Sequence, residues 1–93
     1  MPFENVHNYY ERLVYEEIRR LLVEKQRSHD DDFIEDLACV ALNHLPPRYV
    51  RHNVDLIFYM NSQERSEINQ RVQHEVAEAY AFVSSHKEHQ IDS

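Results

Sequence analysis

The 93-residue chain contains no glycine. Phosphate-binding loops of the P-loop and dinucleotide-binding types need glycine, because it lets the backbone amides approach a phosphate closely. Neither loop can therefore exist in this protein. A catalytic serine on a nucleophile elbow is not expected either, since that elbow also needs glycine. Any nucleotide ligand must be held by side chains, helix ends or a partner subunit.

Cysteine is nearly absent, with Cys39 the single example. One cysteine excludes both an intrachain disulfide and a zinc site built from several cysteines. Because Cys39 lies in an apolar run, we expect a small packing residue rather than a nucleophile. The seven histidines are scattered and form no HExxH pattern. We therefore expect no metal; the alternative is a site at His29 beside the aspartates of the 27–32 loop.

Basic residues are few, with 10 Lys and Arg against 17 Asp and Glu and a net charge of -7. This balance argues against general nucleic-acid binding, which needs a basic face to displace counterions from phosphates. The chain has no apolar run long enough to cross a membrane, and its acidic N-terminus lacks the apolar core of a signal peptide. We expect a cytoplasmic protein, with residues 1–93 forming one small domain.

Hydrophobic periodicity predicts a mainly α fold, a small three- to four-helix domain. The first helix is predicted at about residues 4–26, the second at 33–45 and the third at about 62–85, with a frayed tail at 86–93. The aspartates of the 27–32 loop suit the start of the second helix. Asn61 and Glu64 have the spacing of a capping box for the third. The apolar stripe of the first helix contains Val6, Tyr10, Leu13, Val14, Ile18, Leu21 and Leu22.

The second helix is apolar nearly all round, which predicts a central, buried position. One polar line remains, and it must face water, a partner chain or a ligand: Asp32, Asp36, Cys39 and Asn43. Two prolines at 46 and 47 stop the helix near Leu45, since a proline disfavours the helical state of the preceding residue. Residues 48–60 are rich in aromatic and β-branched side chains and include an alternating pattern, which predicts an extended segment or short strand. Such a strand needs a partner, for which a second subunit is one candidate.

The segment from Leu37 to Val54 contains no acidic residue. It carries polar, basic and aromatic side chains suited to a nucleotide: Asn43, His44, Arg48, Tyr49, Arg51 and His52. Arginine offers a planar fork for phosphate or a guanine edge, and tyrosine offers a stacking face. The alternative is architectural: the prolines end the helix, Tyr49 packs, and the arginines pair with acidic neighbours. Spacing alone leaves both possibilities open.

The stretch "ALNHLPPRY" at Ala41–Tyr49, with the "VYEE" segment at Val14–Glu17, resembles the late competence development protein ComFB family. The resemblance covers roughly residues 4 to 83, and the central motif is its specific part. It implies a small, mainly helical, homodimeric cytosolic protein with a regulatory role. Family members are linked to competence, type IV pili and motility, and some are receptors for cyclic di-GMP. The resemblance implies no enzymatic activity.

By this resemblance, the predicted ligand-binding residues are Asn43, Arg48, Tyr49, Arg51, His52 and Asp36. Some family members hold zinc through a cysteine cluster before the central helix. That loop contains no cysteine here, so we expect no zinc and no other cofactor. The alternative function is a protein–protein interaction adaptor with no small-molecule ligand. In that case the prolines set the chain direction, and the acidic faces meet a basic partner such as a pilus or motility regulator.

Overall fold

The computed structural model describes residues 3–26, 30–52 and 60–92, with side chains up to residue 85. In these ranges the chain is mainly helical, as predicted. Three helices and two short strands are present there: β1 (His7–Asn8), α1 (Tyr10–Glu24), α2 (Asp31–Asn43), β2 (Tyr49–Val50) and α3 (Ser62–Asp92). None of these helices combines the length and apolar character needed to cross a bilayer.

Helix α1 is shorter than the predicted 4–26. Residues 7 and 8 form β1 instead, and the side chain of Asn8 accepts a hydrogen bond from the Tyr10 amide at 3.2 Å. At the other end, Lys25 caps the helix and Gln26 takes a positive φ of 54°. This left-handed conformation normally favours glycine, which the chain lacks. Val6, placed on the predicted stripe, is 43% exposed because it lies in the turn before β1.

Helix α2 begins earlier and ends earlier than the predicted 33–45. Asp30 is its N-cap, and the Asp30 Oδ1 accepts a hydrogen bond from the Phe33 amide at 2.9 Å. The predicted capping role of this aspartate loop is therefore confirmed. The helix ends at Asn43, and Leu45 stays buried outside it. The prolines account for the early end, since the residue before a proline avoids helical backbone angles.

Helix α3 begins where the capping box predicts. The Glu64 amide donates to Asn61 Oδ1 at 2.8 Å, and the Arg65 amide donates to the Asn61 carbonyl at 3.1 Å. The backbone remains helical to Asp92, so the helix extends past the predicted end near residue 85. The sequence offers neither a proline nor a glycine to stop the helix there.

The three helices pack against one another around one apolar core. The predicted stripes supply most of it, and Ile18, Leu37, Val14 and Val76 are fully buried. At the edge of the core, the rings of Phe33 and Tyr80 meet edge to face with centroids 6.0 Å apart. The Lys25 ammonium lies 5.1 Å from the centroid of the same Tyr80 ring. These contacts join the two ends of the α1–α2 connection to α3.

The predicted extended segment forms a strand only at Tyr49–Val50 within the described residues; positions 53–59 lie outside them. Strand β2 pairs antiparallel with β1, in the register His7 with Val50 and Asn8 with Tyr49. The partner strand therefore comes from the N-terminal segment of the same chain. That segment was predicted to be helical, so the pairing was not foreseen.

Candidate ligand-binding site

The C-terminal end of α2 is closed by backbone and histidine contacts. The amides of His44 and Leu45 donate to the carbonyls of Ala41 and Leu42 at 3.1 and 3.3 Å. The His44 Nδ1 donates to the Val40 carbonyl at 2.8 Å. These contacts satisfy carbonyls that a helix end leaves open. His44, rather than Arg48, makes the side-chain contact at this helix end.

The chain after the two prolines is fixed by the N-terminal segment. The Oδ1 of Asn8 accepts hydrogen bonds from the Arg48 amide at 3.1 Å and the Tyr10 amide at 3.2 Å. The Arg48 carbonyl accepts from the Tyr9 amide at 2.7 Å. Both polar backbone groups of Arg48 are thus held, which sets the path of β2. Asn8 was not among the predicted residues, although an asparagine just before a helical pattern is a recognised capping signal.

Four of the predicted site residues lie in or directly beside β2, with Arg48 just before it and Arg51 and His52 just after it. We call the exposed side chains of Arg48, Tyr49, Arg51 and His52 the β2 surface. Tyr49 is 68% exposed, so it does not pack as the architectural alternative requires. Within the described part of the chain, no carboxylate forms a salt bridge with Arg48 or Arg51. The predicted packing of Tyr49 in that alternative is therefore wrong, while Asp55, an acidic neighbour of Arg51 in the sequence, lies outside the described residues.

Two arginines of α1 differ from Arg48 and Arg51 because they form salt bridges with glutamates of the same helix. Arg12 pairs with Glu16 at 2.9 Å, and Arg20 forms two hydrogen bonds with Glu17, at 2.9 and 2.6 Å, and one with Glu24 at 2.9 Å. Hydrogen bonds to Glu17 and then Glu24 raise the pKa of the Arg20 guanidinium. The guanidinium groups of α1 are thus engaged within their own helix. Arg48 and Arg51 form no such pair with a carboxylate in the part of the chain that the structure describes.

The remaining two predicted residues belong to the exposed side of α2. Asn43 lines a groove of about 470 Å³ between α2 and α3, which we call the α2–α3 groove. Asp36 is exposed and stands on the same helical face as Val40 and Asn43, at spacings of four and seven residues. None of the hydrogen bonds within the described ranges joins Asp36 or Asn43 to Arg48. The groove is lined by Val40, Asn43 and His44 of α2 and by Glu75, Glu78, Ala79 and Phe82 of α3.

Cys39 is exposed, which contradicts the predicted packing role. The buried stripe of α2 consists of Phe33, Leu37 and Ala41, and Cys39 lies two residues from both of the last two, on the opposite face. Among the described residues, no three His, Cys, Asp or Glu side chains cluster in a way that could hold a metal ion. His29 lies outside those residues.

A family model described as late competence development protein ComFB matches residues 7–87. The chain belongs to the ComFB family. The match spans all three helices and both strands up to residue 87, and it includes every residue of the β2 surface and the α2–α3 groove. Comparison with curated proteins and with solved structures gives no match. Membership of the ComFB family associates the chain with late competence development.

Proposed function

We propose that this protein is a non-enzymatic regulatory receptor for cyclic di-GMP, with the β2 surface as its binding site. The observation that carries the proposal is the combination of an exposed Tyr49 with two arginines that have no acidic partner among the described residues. In a chain of net charge -7, unpaired guanidinium groups beside an exposed ring are best explained by an anionic, aromatic ligand.

The chemistry of cyclic di-GMP fits these side chains. Each of its two phosphates can accept paired hydrogen bonds from a guanidinium fork. Its guanine bases present O6 and N7 to an arginine and a flat face to a tyrosine. Arg48 and Arg51 would contact phosphate or guanine edges, Tyr49 would stack, and His52 would donate a hydrogen bond. None of these contacts requires a glycine loop.

The ligand site we propose is smaller than the set predicted from the sequence. Asp36 carries a carboxylate, which is an unfavourable neighbour for a phosphate. Asn43 lines the α2–α3 groove beside Glu75 and Glu78, which are also unfavourable neighbours for an anionic ligand. We therefore assign Arg48, Tyr49, Arg51 and His52 to the ligand-binding site. Asp36 and Asn43 are not part of the proposed site. The proposal includes no zinc and no other cofactor.

The regulatory part of the proposal follows from the family. A cytoplasmic receptor of this kind would pass the second-messenger signal to competence, type IV pili or motility through a protein partner. We further propose that the protein is a homodimer, since a two-fold symmetric ligand suits two copies of the same surface. Exposed apolar side chains on α1 support self-association: Tyr15 is 49% and Val23 is 76% exposed.

The binding test is a calorimetric titration of the purified protein with cyclic di-GMP. Arg48→Ala and Arg51→Ala should each weaken binding at least about tenfold, because a hydrogen bond to a charged group contributes roughly 1.5–3 kcal/mol. Tyr49→Ala should have a similar effect through lost stacking. Arg65→Ala is the matched control, since Arg65 is exposed on α3 and outside the β2 surface. Absence of heat at tens of micromolar ligand would remove the cyclic di-GMP proposal.

The adaptor function makes a different prediction for the same variants. If the protein only joins other proteins, Arg48→Ala and Arg51→Ala should leave its binding to a regulatory partner unchanged, with or without nucleotide. A receptor should instead bind that partner differently when cyclic di-GMP is added. The response to nucleotide should then disappear in the two arginine variants.

A further inference from the structure

The α2–α3 groove has features that the β2 surface lacks. Its α3 side is a ridge of Glu75, Glu78, Ala79 and Phe82, at spacings of three, four and seven residues. Such a ridge runs along about 10 Å of helix, at 1.5 Å per residue. Val40 of α2 lies opposite. The groove thus lies between two helices along about two turns of α3, and grooves between helices are places where an amphipathic helix can bind.

The floor of the groove is apolar. Ala79 has no exposed surface, and Val40 is partly buried. Phe82 is 51% exposed although it is a large aromatic side chain at the groove. An apolar side chain of a partner placed between Val40 and Phe82 would remove this ring surface from water. Burial of this kind is the main source of binding energy in helix-in-groove contacts.

The charged residues that line the groove have one sign. Glu75 and Glu78 line it, and no lysine or arginine is among the lining residues. Beyond the lining, Asp36 stands one helical turn before Val40, and the exposed Arg71 stands one turn before Glu75. His44 is engaged with the Val40 carbonyl at 2.8 Å, and His74 lies 4.0 Å from Glu78 in an exposed pair. An occupant must therefore supply positive charge next to its apolar side chain.

The negative charge of the groove also distinguishes between its possible ligands. A second copy docked groove to groove across a two-fold axis would bring its own Glu75 and Glu78 against the same residues, and like charges across an interface are unfavourable. An anionic nucleotide meets the same repulsion. A basic helix instead gains from the local carboxylates, and the net charge of -7 draws it in at long range.

We propose that the α2–α3 groove is the docking site for a basic amphipathic helix of a partner protein. A large apolar residue of that helix would lie between Val40 and Phe82. Lysine or arginine one turn away would pair with Glu75 and Glu78. This site is separate from the β2 surface, and the proposal does not depend on the identity of the nucleotide.

The test uses a synthetic helical peptide of about 18 residues, long enough to be helical in isolation. Leucines at positions i, i+3, i+4 and i+7 form one face, and lysines flank it. One control peptide replaces the lysines with glutamates, and another replaces the leucines with alanines. Each is titrated into isotope-labelled full-length protein. We expect the leucine–lysine peptide alone to shift the amide signals of Val40, Ala79 and Phe82.

Variants of the protein separate specific docking from general attraction. The double variant Glu75→Lys, Glu78→Lys should bind the leucine–lysine peptide about tenfold more weakly, because two charge pairs are lost and new repulsion is added. The matched control is Glu35→Lys with Glu67→Lys, which changes the net charge equally at exposed positions outside the groove. It should retain most of the affinity. Phe82→Ala should also weaken binding while leaving the circular dichroism spectrum unchanged.

Several results would overturn the proposal. One is equal weakening by the two charge-reversal pairs, which would mean general attraction to an acidic protein. Another is binding of the glutamate peptide, or binding without shifts at the groove amides. A third is a shift of those amides on dilution without peptide, which would identify a second copy as the occupant. Absence of any binding by the leucine–lysine peptide would count equally against it.

Discussion

Asn8 connects three parts of the backbone through one side-chain oxygen. Its Oδ1 accepts from the amide of Tyr10 at the start of α1 and from the amide of Arg48 before β2. Its own backbone lies in β1, opposite Tyr49. A single asparagine thus ties the N-terminal segment to the residues that form the β2 surface.

Substitution of Asn8 should therefore affect both stability and binding. Asn8→Ala leaves two amides without their acceptor, at a cost of about 1–3 kcal/mol in the free energy of unfolding, and urea denaturation would measure it. Asn8→Asp keeps an acceptor oxygen and places a negative charge near the start of α1, where it is favourable. It should unfold close to wild type. Equal loss of stability in both variants would show that the hydrogen bonds are unimportant.

At the residue scale the sequence predicted the exposure of the candidate site residues better than their contacts. The exposed basic and aromatic character of the segment after the prolines was readable because the segment contains no acid. The bond from Asn8 to Arg48 joins positions 40 residues apart, and no local pattern encodes it. Cys39 was expected to pack because its neighbours are apolar. The polar line of the second helix placed the same residue on the exposed side, and the structure agrees with that line.

The helices themselves begin at capping side chains. Asp30 caps α2 and Asn61 caps α3, each accepting a hydrogen bond from the amide three residues later. Periodicity identified the apolar stripes of all three helices, because burial of one face needs only the local spacing. The ends were less well predicted. They depend on strand pairing at α1, on the prolines at α2, and on the lack of a stop signal at α3.

Substitution of Asp30 tests how much the N-cap of α2 contributes to stability. Asp30→Ala should lower the free energy of unfolding by roughly 0.5–2 kcal/mol, because the Phe33 amide loses its partner. Asp30→Ser retains a capping oxygen and should recover most of that loss. Thermal or urea unfolding of the two variants beside wild type is sufficient. If serine were no better than alanine, the cap would not be the source of the stability.

The case for a dimer changes once the whole described molecule is considered. The β2 strand finds its partner within the chain, so an unpaired strand no longer argues for a dimer. The cleft between α1 and α2, of about 300 Å³, is lined by Tyr15, Leu22, Val23 and Ile34 together with the charged Arg19 and Asp31. The case for self-association now rests on the exposed Tyr15 and Val23 at this cleft.

The proposed dimer can be tested by measuring the molar mass of the protein in solution. Light scattering at tens of micromolar should give twice the chain mass of 11.3 kDa, or about 23 kDa, for the wild type. Val23→Glu puts a charge on a side chain that is 76% exposed, so it should leave the fold intact while the mass falls to that of one chain. Phe3→Glu, at another exposed apolar position, should remain dimeric. A wild-type mass near 11.3 kDa would contradict the dimer.

Gln26 shows what a chain without glycine does at a helix end. Its φ of 54° costs a residue with a side chain about 1 kcal/mol, which a glycine would avoid. The lack of glycine acts in the opposite direction on the unfolded chain, whose backbone samples fewer conformations and loses less entropy on folding. The small local strain after α1 is thus accompanied by a stiffer denatured ensemble. The free energy of unfolding of this protein therefore depends partly on the conformational entropy of its unfolded state.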